Sequence, residues 1–271
     1  MSREQEIMQK SNQPRTVASL KEDLMAMGVK ETDTILVHSS LSAIGWVSGG
    51  PQAVVEALFA TVNKGTLVMP TQSAGLSDPE HWQNPPVPHK SWIRTIRQTM
   101  PAFDPDLTPT RGMGQIVETF RAHRDVERSY HPICSFAAWG KDRDYIVRDH
   151  ELSFGLGEGS PLKKLEELNA KVLLIGVGYD SNTCFHLAEN RVKGFKRVTT
   201  AAPIMVDGER VWQDYREIDM DVERFPLIGE RFEGTGNVRF GMIGSAPTRM
   251  FLLREAVSFA ESELPQHLAK K

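Results

Sequence analysis

Residues 172–189, VLLIGVGYDSNTCFHLAE, decide how the rest of the chain is interpreted. The apolar run 172–177 has the length of a buried β-strand, and its glycines mark the end of that strand. Asp180 and Asn182 carry side-chain oxygens that cap helices, so we predict a helix from about Thr183 into the 190s. Because ligands in open α/β sheets bind beyond the carboxyl ends of strands, this junction is a candidate functional site.

Four polar side chains meet at this junction. Thr183, His186 and Glu189 are spaced by three residues, so they share one face of the predicted helix, and Asp180 lies just before it. A His-x-x-Glu pair alone is more typical of a solvated helix surface. Its combination with an acidic loop at a strand end and with Thr183 makes a site in which titratable groups act together an equal alternative.

Two chemistries fit these residue types. His186 can act as a general base, with Asp180 and Glu189 orienting its ring or holding a substrate. Alternatively, the same three side chains can bind a divalent metal ion, as in a metal-dependent hydrolase. The chain has no H-E-x-x-H motif. We therefore favour the general base and expect no metal.

The composition is ordinary for a globular protein, with 40% hydrophobic and 25% charged residues and a net charge of −3. So small a charge gives no support for nucleic-acid binding. No apolar run approaches the ~18 residues of a membrane span, and no secretory signal is visible. The two cysteines, Cys134 and Cys184, exclude a disulfide framework, so we expect a cytoplasmic location.

Helical and strand patterns alternate along the first half of the chain, which favours a parallel sheet covered by helices. We expect residues 1–13 to be flexible and residues 14–271 to form a single domain. Asp207-Gly208 between two strand-like runs predicts a β-hairpin. A closing amphipathic helix is predicted from Pro247 to about Leu264.

The junction motif G-V-G-x-D-x-N-T-x-x-H-x-A-E, residues 176–189, resembles the signature of the aminoglycoside N3-acetyltransferases and their relatives of unknown substrate. Four further segments resemble parts of that family: LVHSSL at 36–41, GTLVMPT at 65–71, RSYHPICSFAAWG at 128–140 and GEGSPL at 157–162. The likeness extends over most of the chain, from about Thr16 to Leu264.

The resemblance implies an α/β three-layer sandwich, in which helices cover a central mixed, largely parallel sheet and a C-terminal β-hairpin is added. This fold is distinct from that of the GNAT acetyltransferases. The implied activity is transfer of the acetyl group of acetyl-CoA to an amine, the 3-amino group of a 2-deoxystreptamine aminoglycoside antibiotic. The implied partners are that amine and coenzyme A, and a homodimer is compatible with the family.

The resemblance also assigns roles to residues. His186 is the general base, Glu189 and Asp180 orient it or hold the amine, and Thr183 helps to bind the substrate. The pantetheine and phosphates of the cofactor follow a path lined by His38, Ser39, Ser40, Met69, Pro70 and Thr71.

Cys184 lies two residues before His186, about 200° around a helix, so the two side chains point apart. Direct transfer in a ternary complex is therefore preferred over a cysteine-linked intermediate. Three alternatives stay open at the level of the sequence: an acetyltransferase for a different amine, the metal-dependent hydrolase, and a non-catalytic CoA-binding module.

Overall fold

The computed structural model describes residues 2–268. The helices are α1 (Arg3–Lys10), α2 (Val17–Ala26), α3 (Leu41–Ile44), α4 (Gly50–Thr61), α5 (Ser91–Thr99), α6 (Gln115–Arg121), α7 (Arg143–Val147), α8 (Pro161–Glu167), α9 (Phe185–Arg191), α10 (Phe225–Glu233) and α11 (Leu253–Leu268). The strands are β1 (Thr34–Ser39), β2 (Thr66–Pro70), β3 (Glu127–Arg128), β4 (Phe136–Gly140), β5 (Lys171–Ile175), β6 (Arg197–Val206), β7 (Glu209–Ile218), β8 (Arg239–Ile243) and β9 (Ala246–Leu252). Among the described helices, none is long and apolar enough to cross a membrane.

Seven strands form one mixed sheet in the order β3-β4-β2-β1-β5-β9-β8, and β6 pairs with β7 as a separate hairpin. The predicted mixed sheet and hairpin are confirmed. The expectation that the sheet is largely parallel is wrong in detail, because parallel pairing joins only β2, β1 and β5. The strands outside these three join the sheet antiparallel. The three parallel strands bring their carboxyl ends to one edge, where the site lies.

Successive side chains of the central strands point to opposite faces of the pleated sheet. Val172 and Leu174 belong to a core with Phe185 of α9 and residues of α8, α10 and α11. Leu173 and Ile175 belong to a second core with residues of α2, α4 and α6. The sheet is therefore the middle of three layers, and its strands read as continuous apolar runs because both of their faces are buried.

The predicted hairpin turn has the backbone that its residues favour. Asp207 and Gly208 both have positive φ, 50° and 82°, which is the conformation of a two-residue type I′ turn. The same hairpin packs against a loop of the 150s, since the Phe154 N–H donates to the Arg216 carbonyl at 2.8 Å.

The two ends of the chain add detail to the prediction. Residues 3–10 form the helix α1, which begins with a capping box between Ser2 and Gln5, and the flexibility of residues 1–13 stays a prediction. The predicted closing helix from Pro247 is wrong over its first part, because residues 246–252 form β9 and the helix begins only at Leu253. Burial of β9 within the sheet gives it the apolar run that resembles a helix face.

Candidate active site

The site begins where β5 ends. Residues 179–181 form a 3-10 turn, and α9 then runs from Phe185, two residues later than predicted. Asp180 and Asn182 do not cap α9 as expected, since its N-cap is Cys184 without a side-chain hydrogen bond. The Asn182 oxygen accepts instead from the Cys184 thiol at 3.1 Å. This turn places His186 in the first turn of α9, at the carboxyl edge of the sheet.

His186 and Glu189 form a buried pair on α9. The distance from His186 Nδ1 to Glu189 Oε2 is 2.6 Å, and the relative exposures of the two residues are 7% and 0%. The Phe225 ring lies 4.8 Å from the imidazole ring, and Asn190 donates to the His186 carbonyl at 2.9 Å. Their burial rules out the solvated-surface interpretation, because an ordinary surface carboxylate does not lie fully inside the protein.

A cavity of ≈ 280 Å3 lies beside this pair and is called the catalytic cavity below. It brings together five of the residues singled out in the sequence. These are His38, Ser39, Pro70, Asp180 and Thr183, which line it together with His186. They come from β1, β2 and the segment after β5, so the parallel arrangement of these strands is what assembles the site.

A second cavity, of ≈ 680 Å3, is called the cofactor cavity below. Ser39, Gly112 and Met113 line both cavities, so the two are adjacent. Ser40 and the residues that begin α4, Gly50 and Pro51, form part of its wall. The Gly50 N–H donates to the Val47 carbonyl and Pro51 has no N–H, so the start of this twelve-residue helix attracts phosphate through its dipole. This matters because none of the described residues that line the cavity is a lysine or an arginine.

Two residues expected along the cofactor path, Met69 and Thr71, line neither cavity. Met69 has no exposed surface and packs in the core with α4 and α6. Thr71 is also fully buried, and its hydroxyl lies 3.1 Å from Ser135 Oγ and accepts from Arg128 Nε at 3.1 Å. These two residues therefore support the strand that carries Pro70, and their direct contact with the cofactor stays a prediction.

Arg128 is the centre of this support. Its guanidinium donates to the carbonyls of Thr71 and Thr108, both at 2.6 Å, and to the Ser73 hydroxyl at 2.6 Å. The group also lies 5.0 Å from the centre of the Phe103 ring. Burial lowers the pKa of Arg128 to about 10, which leaves it charged at neutral pH. Arg128 thus holds the segment that leads from β2 into the catalytic cavity.

Sequence reasoning missed several residues of the catalytic cavity, of which Gln72, Met113 and Val222 are examples. Gln72 directly follows the predicted loop at Pro70 and Thr71, so its position was within reach of the sequence. Met113 and Val222 lie on distant segments that only the fold brings close. The glycines at 112 and 114 both have positive φ. They are the local sequence sign that the chain before α6 adopts an unusual backbone conformation, as loops at ligand sites often do.

His38 contributes an uncharged ring to the catalytic cavity. Burial lowers its pKa from 6.5 to about 3, and its Nε2 has no hydrogen-bond partner among the described residues. A neutral imidazole at neutral pH adds no positive charge to the cavity that His38 and His186 both line.

A buried polar cluster lies behind the loop of residues 150–157. The His131 and His150 rings are 4.7 Å apart, and His150 Nε2 lies 2.7 Å from the Gly155 carbonyl oxygen. The Gly155 N–H donates to the Glu217 carboxylate at 2.9 Å. Burial lowers the pKa of His131 to about 4 and that of His150 to about 3, and it raises the pKa of Glu217.

The alternatives of cysteine and metal chemistry lose support at this site. Cys184 is fully buried, and burial raises the pKa of its thiol to about 12, so it is not a thiolate at neutral pH. Among residues 2–268, no group of three or more His, Cys, Asp and Glu side chains is arranged to hold a metal ion. Asp180, His186 and Glu189 therefore do not form the ligand set that the hydrolase alternative requires.

Comparison with known proteins decides the family. The family model described as aminoglycoside 3-N-acetyltransferase matches residues 36–265. The chain belongs to this aminoglycoside 3-N-acetyltransferase family. The resemblance stated from the sequence motifs is thereby confirmed.

Individual relatives are similar to this chain in sequence and in structure. The chain is 52% identical to the SPbeta prophage-derived aminoglycoside N(3')-acetyltransferase-like protein YokD of Bacillus subtilis (strain 168), over 94% of each chain. The crystal structure of YokD superposes with a TM-score of 0.96, at 49% identity and over 98% of this chain and 99% of YokD.

Two solved members of the aminoglycoside 3-N-acetyltransferase family carry ligands. AAC-IIIb in a binary complex with CoASH has a TM-score of 0.83 and 29% identity, over 94% of this chain and 98% of its own. AAC-VIa bound to sisomicin has a TM-score of 0.85 and 31% identity, over 94% and 99%. The fold of this chain is thus shared with proteins that bind coenzyme A and proteins that bind an aminoglycoside.

Proposed function

We propose that this protein transfers the acetyl group of acetyl-CoA to an amine, the 3-amino group of a 2-deoxystreptamine aminoglycoside. The reaction proceeds by direct attack in a ternary complex, with His186 as the general base. The observation that carries this proposal is the buried His186–Glu189 pair at the wall of a cavity that adjoins a second, larger one. The family's activity and the CoASH complex of AAC-IIIb support the choice of cofactor.

Glu189 prepares His186 for its role. Because the carboxylate accepts the Nδ1 proton at 2.6 Å, the imidazole keeps its Nε2 lone pair free to take a proton from the amine. The carboxylate also stabilises the imidazolium that results. General-base catalysis of this kind contributes roughly 10²–10⁴-fold to a rate.

The bond changes follow from this arrangement. The ammonium first releases one proton to solvent. The nitrogen of the resulting neutral amine then attacks the thioester carbonyl carbon, forming the new carbon–nitrogen bond, while His186 removes a second proton from that nitrogen. The carbon–sulfur bond then breaks, and the departing CoA thiolate takes up a proton from the imidazolium. No acetyl group is carried by the protein, which agrees with the buried and protonated thiol of Cys184.

The two cavities divide the reactants between them. Acetyl-CoA occupies the cofactor cavity along Ser39 and Ser40, with its phosphates at the start of α4, and its thioester reaches the catalytic cavity across Ser39, Gly112 and Met113. The amine enters the catalytic cavity, where Asp180 supplies a carboxylate for its charge and Thr183 a hydroxyl. Cytoplasmic location and a homodimer stay predictions.

A different amine is the second candidate acceptor, and one observation favours it. Among the described residues that line the catalytic cavity, Asp180 is the single carboxylate. Aminoglycosides carry several ammonium groups, whose neutralisation calls for more than one carboxylate. The match to YokD, a protein named only as acetyltransferase-like, is consistent with either acceptor.

The test is release of CoA thiol from acetyl-CoA by purified protein, measured with 2-deoxystreptamine antibiotics and with simple amines. We expect turnover that falls at least 100-fold in His186→Gln, whereas His89→Gln, at an exposed position, keeps full activity. Turnover with an antibiotic supports the first acceptor, and turnover only with other amines supports the second. Undiminished turnover in His186→Gln contradicts the assignment of the general base.

A further inference from the structure

The helix α1 contributes to the cofactor cavity, although its sequence is that of a polar tail. Glu4 and Ile7 are among the residues that line the cavity. Among the α1 side chains that the structure describes, Ile7 is half-buried and the others, Glu4 included, are exposed, with Met8 at 52%. Ile7 is thus the one described apolar side chain of α1 that is partly covered, and it lines the cavity.

The side of α1 that faces the cavity also carries the residue that attaches the helix to the rest of the protein. Glu4, Ile7 and Ser11 follow each other at spacings of three and four residues, so they lie on one side of the helix. The Ser11 hydroxyl donates to the Ile7 carbonyl and accepts from the Trp46 N–H, both at 2.8 Å. Trp46 itself lines the cofactor cavity, so α1 is joined directly to its wall.

Two backbone hydrogen bonds extend this attachment. The Arg15 N–H donates to the Trp46 carbonyl at 2.9 Å, and the Ser48 N–H donates to the Arg15 carbonyl at 2.8 Å. The residues between α1 and α2 are thus aligned along the loop that precedes α4. An isolated helix of eight residues is not stable in water, so α1 depends on this docking for its structure.

The cofactor cavity has different charges where α4 and where α1 line it. The start of α4 suits phosphate, whereas the Glu4 carboxylate repels phosphate and accepts hydrogen bonds from neutral donors such as a ribose hydroxyl or an adenine amino group. Glu4 and Ile7 line the cofactor cavity and not the catalytic one, so they lie away from the thioester.

We propose that α1 is part of the cofactor site and that Ile7 and Glu4 contact the nucleoside end of coenzyme A. This inference rests on the proposed use of acetyl-CoA. It assigns a binding role to a segment whose sequence predicts flexibility. It also makes the docking of α1 dependent on the cofactor, because a bound nucleoside adds contacts that the helix otherwise lacks.

The test compares Ile7→Asp with Met8→Asp, which places the same charge on the exposed side of the same helix. We expect Ile7→Asp to raise the KM for acetyl-CoA about 5–20-fold with kcat unchanged, and Met8→Asp to have little effect. With acetyl-pantetheine, which lacks the nucleotide, all three proteins should have the same KM. Melting temperatures without cofactor check that the substitutions leave the fold intact, as expected for residues on a surface helix.

Other results overturn the inference. An unchanged KM for acetyl-CoA in Ile7→Asp shows that α1 does not contact the cofactor, and an equal rise with both donors shows that the contact is not at the nucleoside. A wild-type protein that neither binds CoA nor uses acetyl-CoA removes the proposed function as well. Cleavage by trypsin after Lys10, slowed by added CoA in wild type but not in Ile7→Asp, gives a readout independent of turnover.

Discussion

Glu189 Oε2 lies 2.6 Å from His186 Nδ1, one helical turn away on the same short helix, and neither residue is reached freely by solvent. The second Glu189 oxygen, Oε1, has no hydrogen-bond partner among the described residues. The Glu189 carboxyl group is thus buried with a hydrogen bond to one of its two oxygens. Burying a polar group with so few hydrogen-bond partners lowers the stability of the fold, and such groups concentrate at functional sites.

Replacing this carboxylate with an amide should disable the base while preserving its shape. In Glu189→Gln the amide can donate to Nδ1, which moves the imidazole proton to Nε2 and removes the lone pair needed by the amine. We expect kcat to fall about 10²–10⁴-fold with CoA affinity unchanged, measured by turnover and by calorimetry. Glu22→Gln, at an exposed position on α2, is the control, and an unaltered kcat in Glu189→Gln would refute this role.

Asp180 should act on the acceptor and not on the cofactor. Its side chain lines the catalytic cavity but is exposed, so its attraction to an ammonium group is modest. Asp180→Asn should raise the KM of the amine about 3–10-fold, less at high salt, and leave the KM of acetyl-CoA unchanged. Asp207→Asn, at the hairpin turn, is the matched control, and a change in the KM of acetyl-CoA would place Asp180 elsewhere in the mechanism.

Removing Arg128 should destabilise the whole domain. Arg128→Ala leaves the carbonyls of Thr71 and Thr108 without their donor in a largely buried setting. We expect the free energy of unfolding in urea to drop by about 2–4 kcal/mol. In Arg124→Ala, where the side chain is 89% exposed, the change should stay within about 0.5 kcal/mol. Equal stabilities of the two variants would show that the Arg128 hydrogen bonds contribute little.

Acid should unfold the protein through its buried histidines. His131 and His150 stay neutral in the folded state down to pH values of about 4 and 3, whereas in the unfolded chain they take up protons below about pH 6.5. The unfolded state then binds more protons, so each histidine should lower the free energy of unfolding by up to about 2 kcal/mol between pH 7.5 and pH 5. Above pH 7 neither contributes.

Urea unfolding across this pH range measures the effect. His150→Gln should show a shallower dependence on pH than wild type by about one proton, and His89→Gln should match wild type. Burial raises the pKa of Glu217, an effect opposite in sign to that of the two histidines. A stability that is independent of pH between 7.5 and 5 would contradict the buried, neutral state of the two histidines.

The sequence predicted those parts of the site that lie on one continuous segment. His186 and Glu189 were found because a strand, a turn and a helix follow each other within eighteen residues, and their spacing alone puts them on one face. The hairpin turn at Asp207-Gly208 was likewise predicted from neighbouring residues alone. Val222 and Met113 could not be found in this way, because nothing near them in the chain indicates that they meet His186 across the folded protein.

Burial on two sides explains where the structure departs from the sequence analysis. Met69 and Thr71 belong to or follow a strand that is covered on both faces, so the sequence does not show which of its side chains line a cavity. The same ambiguity made β9 resemble the beginning of α11. For α1 the reason is the opposite one, since Ile7 is its one half-buried apolar side chain among the described residues and the helix has no apolar stripe to detect.

The order of the sheet has a consequence for how the chain is made. Strand β1 gains its second neighbour only when β5 is available, and the two are paired through residues as far apart as Ile35 and Lys171. Contacts between such distant residues form slowly. During synthesis the edge of β1 that later pairs with β5 is therefore uncovered. The edge of β1 therefore stays open to pairing with other chains until residue 175 has left the ribosome. The catalytic cavity, which also needs Val222, is completed later still.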